Sequence, residues 1–150
     1  MLEALQLAEQ GMMNNEGGPF GCVIVKDNVI IGRGNNKVLL TNDPTAHAEV
    51  TAIRDACRYL NSFQLEGCDL YTSCEPCPMC LGAIYWARPS KVFFACTRND
   101  AAEIGFDDDF IYHELEKTFT SRSIPMQQMM REKALMIFEA WKSKPDKIPY

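Results

Sequence analysis

Positive charge is in deficit in this 150-residue chain: 15 Lys and Arg face 20 Asp and Glu, for a formal charge of −5. The sequence pI is about 5.0. No global basic field is available to draw in a phosphate backbone, which counts against a nucleic-acid partner. Long hydrophobic runs are missing as well. No stretch approaches the roughly 20 apolar residues that a membrane-spanning helix needs. Residues 1–10 have neither the basic start nor the continuous apolar core of a signal peptide. There is no internal repeat and no low-complexity linker. Nor do the cysteines make an even set. Seven thiols, with Cys22 and Cys96 inside apolar strand-like runs, suit reduced side chains in a reducing compartment better than a disulfide framework. These absences point to a cytoplasmic protein with no membrane partner. What remains is ordinary: 47% hydrophobic and 23% charged residues, and length enough for one core, so residues 1–150 read as a single domain.

The chain is organised around Cys74-Glu75-Pro76-Cys77-Pro78-Met79-Cys80. Proline suits the first turn of a helix, where its missing N–H would be unsatisfied anyway. The apolar run 81–87 behind it is too long for a loop. The expectation is a helix starting near Pro76, with Cys77 in its opening turn and Cys80 three residues on, on the same face. Unpaired amides and the positive end of the macrodipole gather there, and both favour thiolate. Two such thiolates are half of a tetrahedral zinc site. A redox pair or two buried cysteines stay open on this stretch alone. A ferredoxin-type cluster loses its weight, because the position for a fourth cysteine is Ile84.

The other half of the site is Pro44-Thr45-Ala46-His47-Ala48-Glu49. A lone His at a helix start is more often structural than a ligand. Here it lies one helix and one strand upstream of the thiols, and in α/β sheets such helix openings converge on one edge. His47, Cys77 and Cys80 make three protein ligands, the catalytic rather than the closed four-ligand arrangement. Glu49, two residues beyond, would point nearly opposite to His47 on a regular helix. For both to reach the metal, His47 must lie at or before the first turn. Glu49 is then beside the zinc without being a ligand, as a proton shuttle should be.

Leu2, Leu5, Ala8 and Met12 recur at helical spacing over 1–14. Strands are expected over 20–25 and 29–33, joined by Asp27-Asn28 in a hairpin, and again over 68–72 and 91–96. Residues 46–59 and 131–141 read as helices, with Asn42-Asp43-Pro44-Thr45 as helix-start chemistry before the first. A fifth, short strand is expected around 124–126, and 142–150 is a proline-punctuated arm. A hairpin followed by strand–helix units predicts an α/β fold: a three-layer α/β/α sandwich with a central mixed five-stranded sheet.

His-x-Glu followed by Pro-Cys-x-x-Cys resembles the zinc signature of the cytidine deaminase superfamily. Gly17-Gly18-Pro19-Phe20-Gly21, residues 42–49, residues 72–80 and Gly105-Phe106-Asp107-Asp108 are similar, more narrowly, to the bacterial guanine deaminases of that fold, and the likeness spans nearly the whole chain. The resemblance implies one Zn2+ per subunit on His47, Cys77 and Cys80, and hydrolysis of guanine to xanthine and ammonia with Glu49 moving the protons. It implies that Asn36, by itself a turn residue, holds the base. Asp108, by itself a helix cap or part of a solvated acidic loop, would accept from guanine's N–H groups. Phe20 and Trp86, otherwise core aromatics, would stack on the purine. It further implies a homodimer in which the arm folds Tyr150 over an active site, the partner's if the arm is swapped.

A tRNA adenosine deaminase shares the 43–49 and 75–77 motifs, but would need a basic surface to grip an RNA loop. A cytosine deaminase would leave the Gly-Phe-Asp-Asp stretch without a role. A non-catalytic zinc module would need Cys74 as a fourth ligand.

Overall fold

The structure, a computed structural model, describes residues 1–149 and divides into two compact units, Met1–Phe110 and Ile111–Tyr150. Tyr150 itself lies outside the described residues. The first unit runs α1 (Leu2–Met13), β1 (Gly21–Lys26), β2 (Val29–Asn35), α2 (Val38–Thr41), α3 (Ala48–Leu60), β3 (Asp69–Cys74), α4 (Pro78–Ala87), β4 (Lys91–Cys96) and α5 (Arg98–Glu103), and ends as α6 (Asp109–Glu116) begins. The second holds the rest of α6 and then α7 (Arg131–Ser143).

The sheet has the order β2-β1-β3-β4. β1 is antiparallel to both β2 and β3, and β3 is parallel to β4, so the sheet is mixed, as expected. The hairpin turns at Asp27 (φ 48°) and Asn28 (φ 63°), the two residue types that best tolerate the left-handed region a tight hairpin turn demands. Strand alternation sorts the two faces. Gly21 approaches Ala4 and Ala8 of α1, and Arg33 reaches Glu3 of α1 at 2.9 Å, so that face carries α1. Gly32 and Gly34, from the opposite face of β2, meet α3. Cys22, Ile24, Leu70, Ala52, Ala56 and Ile84 form the core on that side, with α3 and α4 over it. Helices therefore cover both faces, as the sandwich requires.

The closeness of α3 to the sheet comes from small residues. Ala48, Ala52 and Ala56 recur every fourth position as a fully buried stripe, at 0% exposure each. They lie over Gly32 and Gly34. A Cβ added to Gly34 would sit 2.3 Å from the Ala48 carbonyl and 2.5 Å from the Ala52 amide, both backbone atoms that cannot swing away.

Four strands form among the described residues, not five. Residues 124–126 are not a strand: Ile124 is 79% exposed and Met126 52%, so no apolar face is buried to hold the segment. Pro125 between them cannot donate to a ladder. Two helix starts also move. Residues 43–46 form a turn, with the Thr45 amide and hydroxyl donating to Asp43 Oδ1 at 2.8 and 2.7 Å, and α3 opens at Ala48 rather than at residue 46. α4 opens at Pro78, so Pro78 and not Pro76 fills the first-turn position. The short helices α2 and α5 carry too little periodicity to be read from sequence.

Replacing Gly34 with alanine should overpack the α3–β2 contact and destabilise the protein by about 1–3 kcal/mol, read as a lowered denaturation midpoint. An unchanged midpoint would show that α3 can shift without cost.

Candidate active site

Two helix starts meet over the same region of the sheet. His47 is the N-cap of α3 (φ −68°, ψ 159°) and Cys77 the N-cap of α4 (φ −63°, ψ 167°), both with extended backbone. Neither side chain caps its own helix. A side chain at such a position turns back off the helix end, which is how His47 and Cys77 come to face one another. The Glu49 constraint is satisfied in the same way: with His47 before the first turn, Glu49 is the second residue of α3. Cys80 enters one turn into α4 and is fully buried.

The His47 Nδ1 atom lies 3.5 Å from Cys77 Sγ and 3.5 Å from Cys80 Sγ. The three ligand atoms all fall within 4.8 Å of one another. A tetrahedral zinc with sulfur at about 2.3 Å and nitrogen at about 2.0–2.1 Å needs an N···S separation of about 3.6 Å. The donor set and its spacing fit zinc. The electrostatics agree. A hydrogen bond from Cys80, and then contact with His47, hold the Cys77 thiol well below the usual thiol range against the burial that opposes them. Cys80 is pushed up by that same hydrogen bond and by burial. The two thiols are thus pushed in opposite directions, Cys77 down and Cys80 up. His47 is raised, first by its bond to Cys77.

Glu49 is only 6% exposed, and burial raises its carboxyl above the ordinary value. Its Oε1 accepts from the Thr72 hydroxyl at 3.1 Å. Thr72 is 1% exposed on β3, on the face that meets α3. Sequence reasoning gave it no role, although a polar residue at the inward position of a strand two residues before Cys74 was a usable signal. With Oε1 held, the carboxylate has a fixed orientation and a second oxygen for proton work.

Cys74 is not a fourth ligand. Its Sγ donates to the Thr97 carbonyl at 3.5 Å, and burial pushes its thiol up to about 11. It stays protonated and outside the cluster of ligand atoms.

The remaining sequence-predicted residues divide. Asn36 is 5% exposed at the end of β2. Its Oδ1 accepts from the Val38 amide at 3.1 Å, which directs the carboxamide nitrogen to be the donor. Asp108 is half-buried and raised by burial and then by Cys77, and it in turn raises His47, so it stands within electrostatic reach of the cluster. Phe20 is partly buried against the core and makes an edge-to-face pair with Phe106, centroids 4.9 Å apart. Trp86 is 64% exposed on α4, so it is not core. Cys74→Ser should keep one zinc per chain by metal analysis, whereas Cys80→Ala should lose it; zinc loss in Cys74→Ser would restore the four-ligand reading.

Comparison with known proteins completes the description. Residues 1–96 match the cytidine and deoxycytidylate deaminase zinc-binding region. The chain is 57% identical over 147 residues to the guanine deaminase of Bacillus subtilis, covering 98% of this chain and 94% of that protein. The crystal structure of a Bacillus subtilis guanine deaminase superposes with a TM-score of 0.97, at 56% identity, over 99% of this chain and 95% of that one. A tRNA-specific adenosine deaminase from Haemophilus influenzae is more distant, 38% identical over 124 residues, covering 79% of this chain and 71% of that protein. A match that takes in both helix starts, joined to a relative similar from end to end, means that this chain belongs to the zinc-binding cytidine and deoxycytidylate deaminase family.

Proposed function

We propose that this chain hydrolyses guanine to xanthine and ammonia, with His47, Cys77 and Cys80 holding one zinc ion. The observation that carries the reading is a buried carboxylate, Glu49, set beside a three-ligand cluster that a second carboxylate, Asp108, overlooks. Similarity to a guanine deaminase over 98% of the chain supports the same substrate.

When bound, the zinc supplies Lewis acidity that makes a hydroxide nucleophile available near neutral pH. Everything else falls to the protein. Glu49 takes one proton from the attacking water and passes it to a ring nitrogen of guanine as the C2–O bond forms; it then takes the second proton from that oxygen and gives it to the amine as the C2–N bond breaks, releasing ammonia. Burial suits it to that cycle, since a carboxyl with a raised pKa gives up its proton less readily to solvent and holds it for the ring. Thr72 keeps one oxygen occupied so that the other faces the reaction. Asn36 donates from its carboxamide nitrogen to an acceptor on the base. Asp108 accepts from guanine's N–H groups, N1–H lying next to the 2-amino group. Adenine offers an acceptor at N1, which would leave the carboxylate unpaired, at a cost in binding. Phe20 contributes apolar surface to the purine, and Trp86 does so from the exposed side of α4.

An arm-swapped homodimer is part of the proposal. No described residue beyond 110 is buried. On α7, Met136, Ile137 and Phe138 are 72%, 70% and 68% exposed. In the first unit, Tyr85 and Trp86 of α4 and Phe93 and Phe94 of β4 are exposed as well. A 13-residue helix with its apolar side chains in water is not stable by propensity alone and needs a partner surface. The second protomer supplies one. Seven free thiols suit a reducing, cytoplasmic setting.

Ammonia release should be seen with guanine in a panel that also holds adenine, cytosine, guanosine and an adenosine-bearing tRNA loop. Glu49→Gln should keep its zinc and lose turnover by at least about 100-fold. Release from the RNA loop alone would favour the tRNA deaminase and remove Asp108 from substrate reading. Light scattering should give twice the 17.0 kDa chain mass; a monomer with full activity would end the swapped-arm proposal.

A further inference from the structure

We infer that Phe106 is a positioning residue that sets Asp108 over the base, latched edge-on against Phe20 in a notch that Gly18 keeps open. The inference rests on the reading of Asp108 as the carboxylate that recognises guanine.

The two rings meet at 87° with centroids 4.9 Å apart, the edge-to-face geometry that aromatic quadrupoles favour. The pair is confined from one side. A Cβ on Gly18 would lie 2.7 Å from Phe106 Cζ and 3.0 Å from Phe20 Cε2, so a larger residue there would push the Phe106 ring out of this place. Phe20 is itself fixed. It packs against the hydrophobic core, and its carbonyl accepts from the Asn36 amide at 2.9 Å. The latch is therefore anchored to the strand end that presents the other base-reading side chain.

Phe106 also governs the loop that carries Asp108. Its amide donates to the carbonyl of buried Ala101 at 2.9 Å, and three residues after it the chain turns into α6 with the Asp109 amide on Asp107 Oδ1 at 3.0 Å. Asp108 is thus held from both sides, with the Phe106 ring as the apolar anchor of the loop. The ring is 44% exposed, too open to be a main support of the core. Its use lies in where it places the next two residues.

The consequence is a split between binding and chemistry. The zinc cluster and Glu49 sit at the starts of α3 and α4, outside this loop. In the zinc-loaded enzyme, Phe106→Ala should raise KM for guanine about tenfold while kcat stays within about twofold. Phe106→Leu, which keeps apolar bulk but not the ring, should fall between. Gly18→Ala should raise KM in the native background and add little in the Phe106→Ala background, because the ring it would strike is gone. Zinc content and melting temperature are measured alongside. An unchanged KM in Phe106→Ala beside a raised KM in Asp108→Ala would overturn the latch and leave the reading of Asp108 standing. An unchanged KM in Asp108→Ala would overturn that reading and the latch with it. Independent, additive effects of Gly18→Ala and Phe106→Ala, or a loss of zinc with kcat, would show that the pair is merely structural.

Discussion

Two thiols and an imidazole gather within reach of one cation only if two helix starts are held a few ångströms apart. Here that separation is set by the depth at which α3 lies on β2. Gly32 and Gly34 offer no side chain, and Ala48, Ala52 and Ala56 present the smallest ones that still bury apolar surface. The helix axis is brought close to the sheet, and its first residues, His47 and Glu49, arrive over Thr72 on β3 and beside Cys77. Close packing tolerates little change in such a contact, since interiors lack the space to absorb an added methyl group.

The site itself is a balance of opposed electrostatic demands. Helix starts favour anions, and bonds with Cys80 and His47 hold Cys77 low, while the bond to Cys77 and burial push Cys80 up. Burial opposes charge at Glu49 and keeps its proton available for transfer. The two groups differ in their surroundings: Cys77 meets His47 at the helix opening, whereas Glu49 is buried against β3, with Thr72 and Cys80 hydrogen-bonded to it. A carboxylate with more partners would be a weaker base. One with none would be free to rotate away.

The residues proposed to read the base lie on different elements from the metal cluster. Asn36 follows β2, Phe20 precedes β1, and Asp108 follows α5, all linked through the Phe20–Phe106 pair. A fold that separates bond-breaking residues from base-reading residues can change its substrate through loops and keep its zinc chemistry. That is consistent with guanine deaminases and tRNA-specific adenosine deaminases both standing among this chain's relatives.

Much of this was legible in the residues themselves. Residue type, spacing and the convergence of helix openings in α/β sheets put His47, Cys77 and Cys80 in one expected ligand set, and Glu49 placed His47 at a helix start because it could not otherwise share its side of the helix. The hairpin and four of the strands followed from alternation and from Asp27-Asn28. The fifth strand did not form: a Pro-containing apolar triplet is a strand only if some surface buries it, and burial is not a local property. The same limit hid Thr72 and Phe106. Whether a threonine faces a carboxylate 23 residues away or a phenylalanine fills a distant glycine notch depends on strand register and on loops that meet in space, information carried by the tertiary structure alone. Local chemistry determined which atoms this protein brings to a metal and a base; the packing of α3 on the sheet decided where they stand.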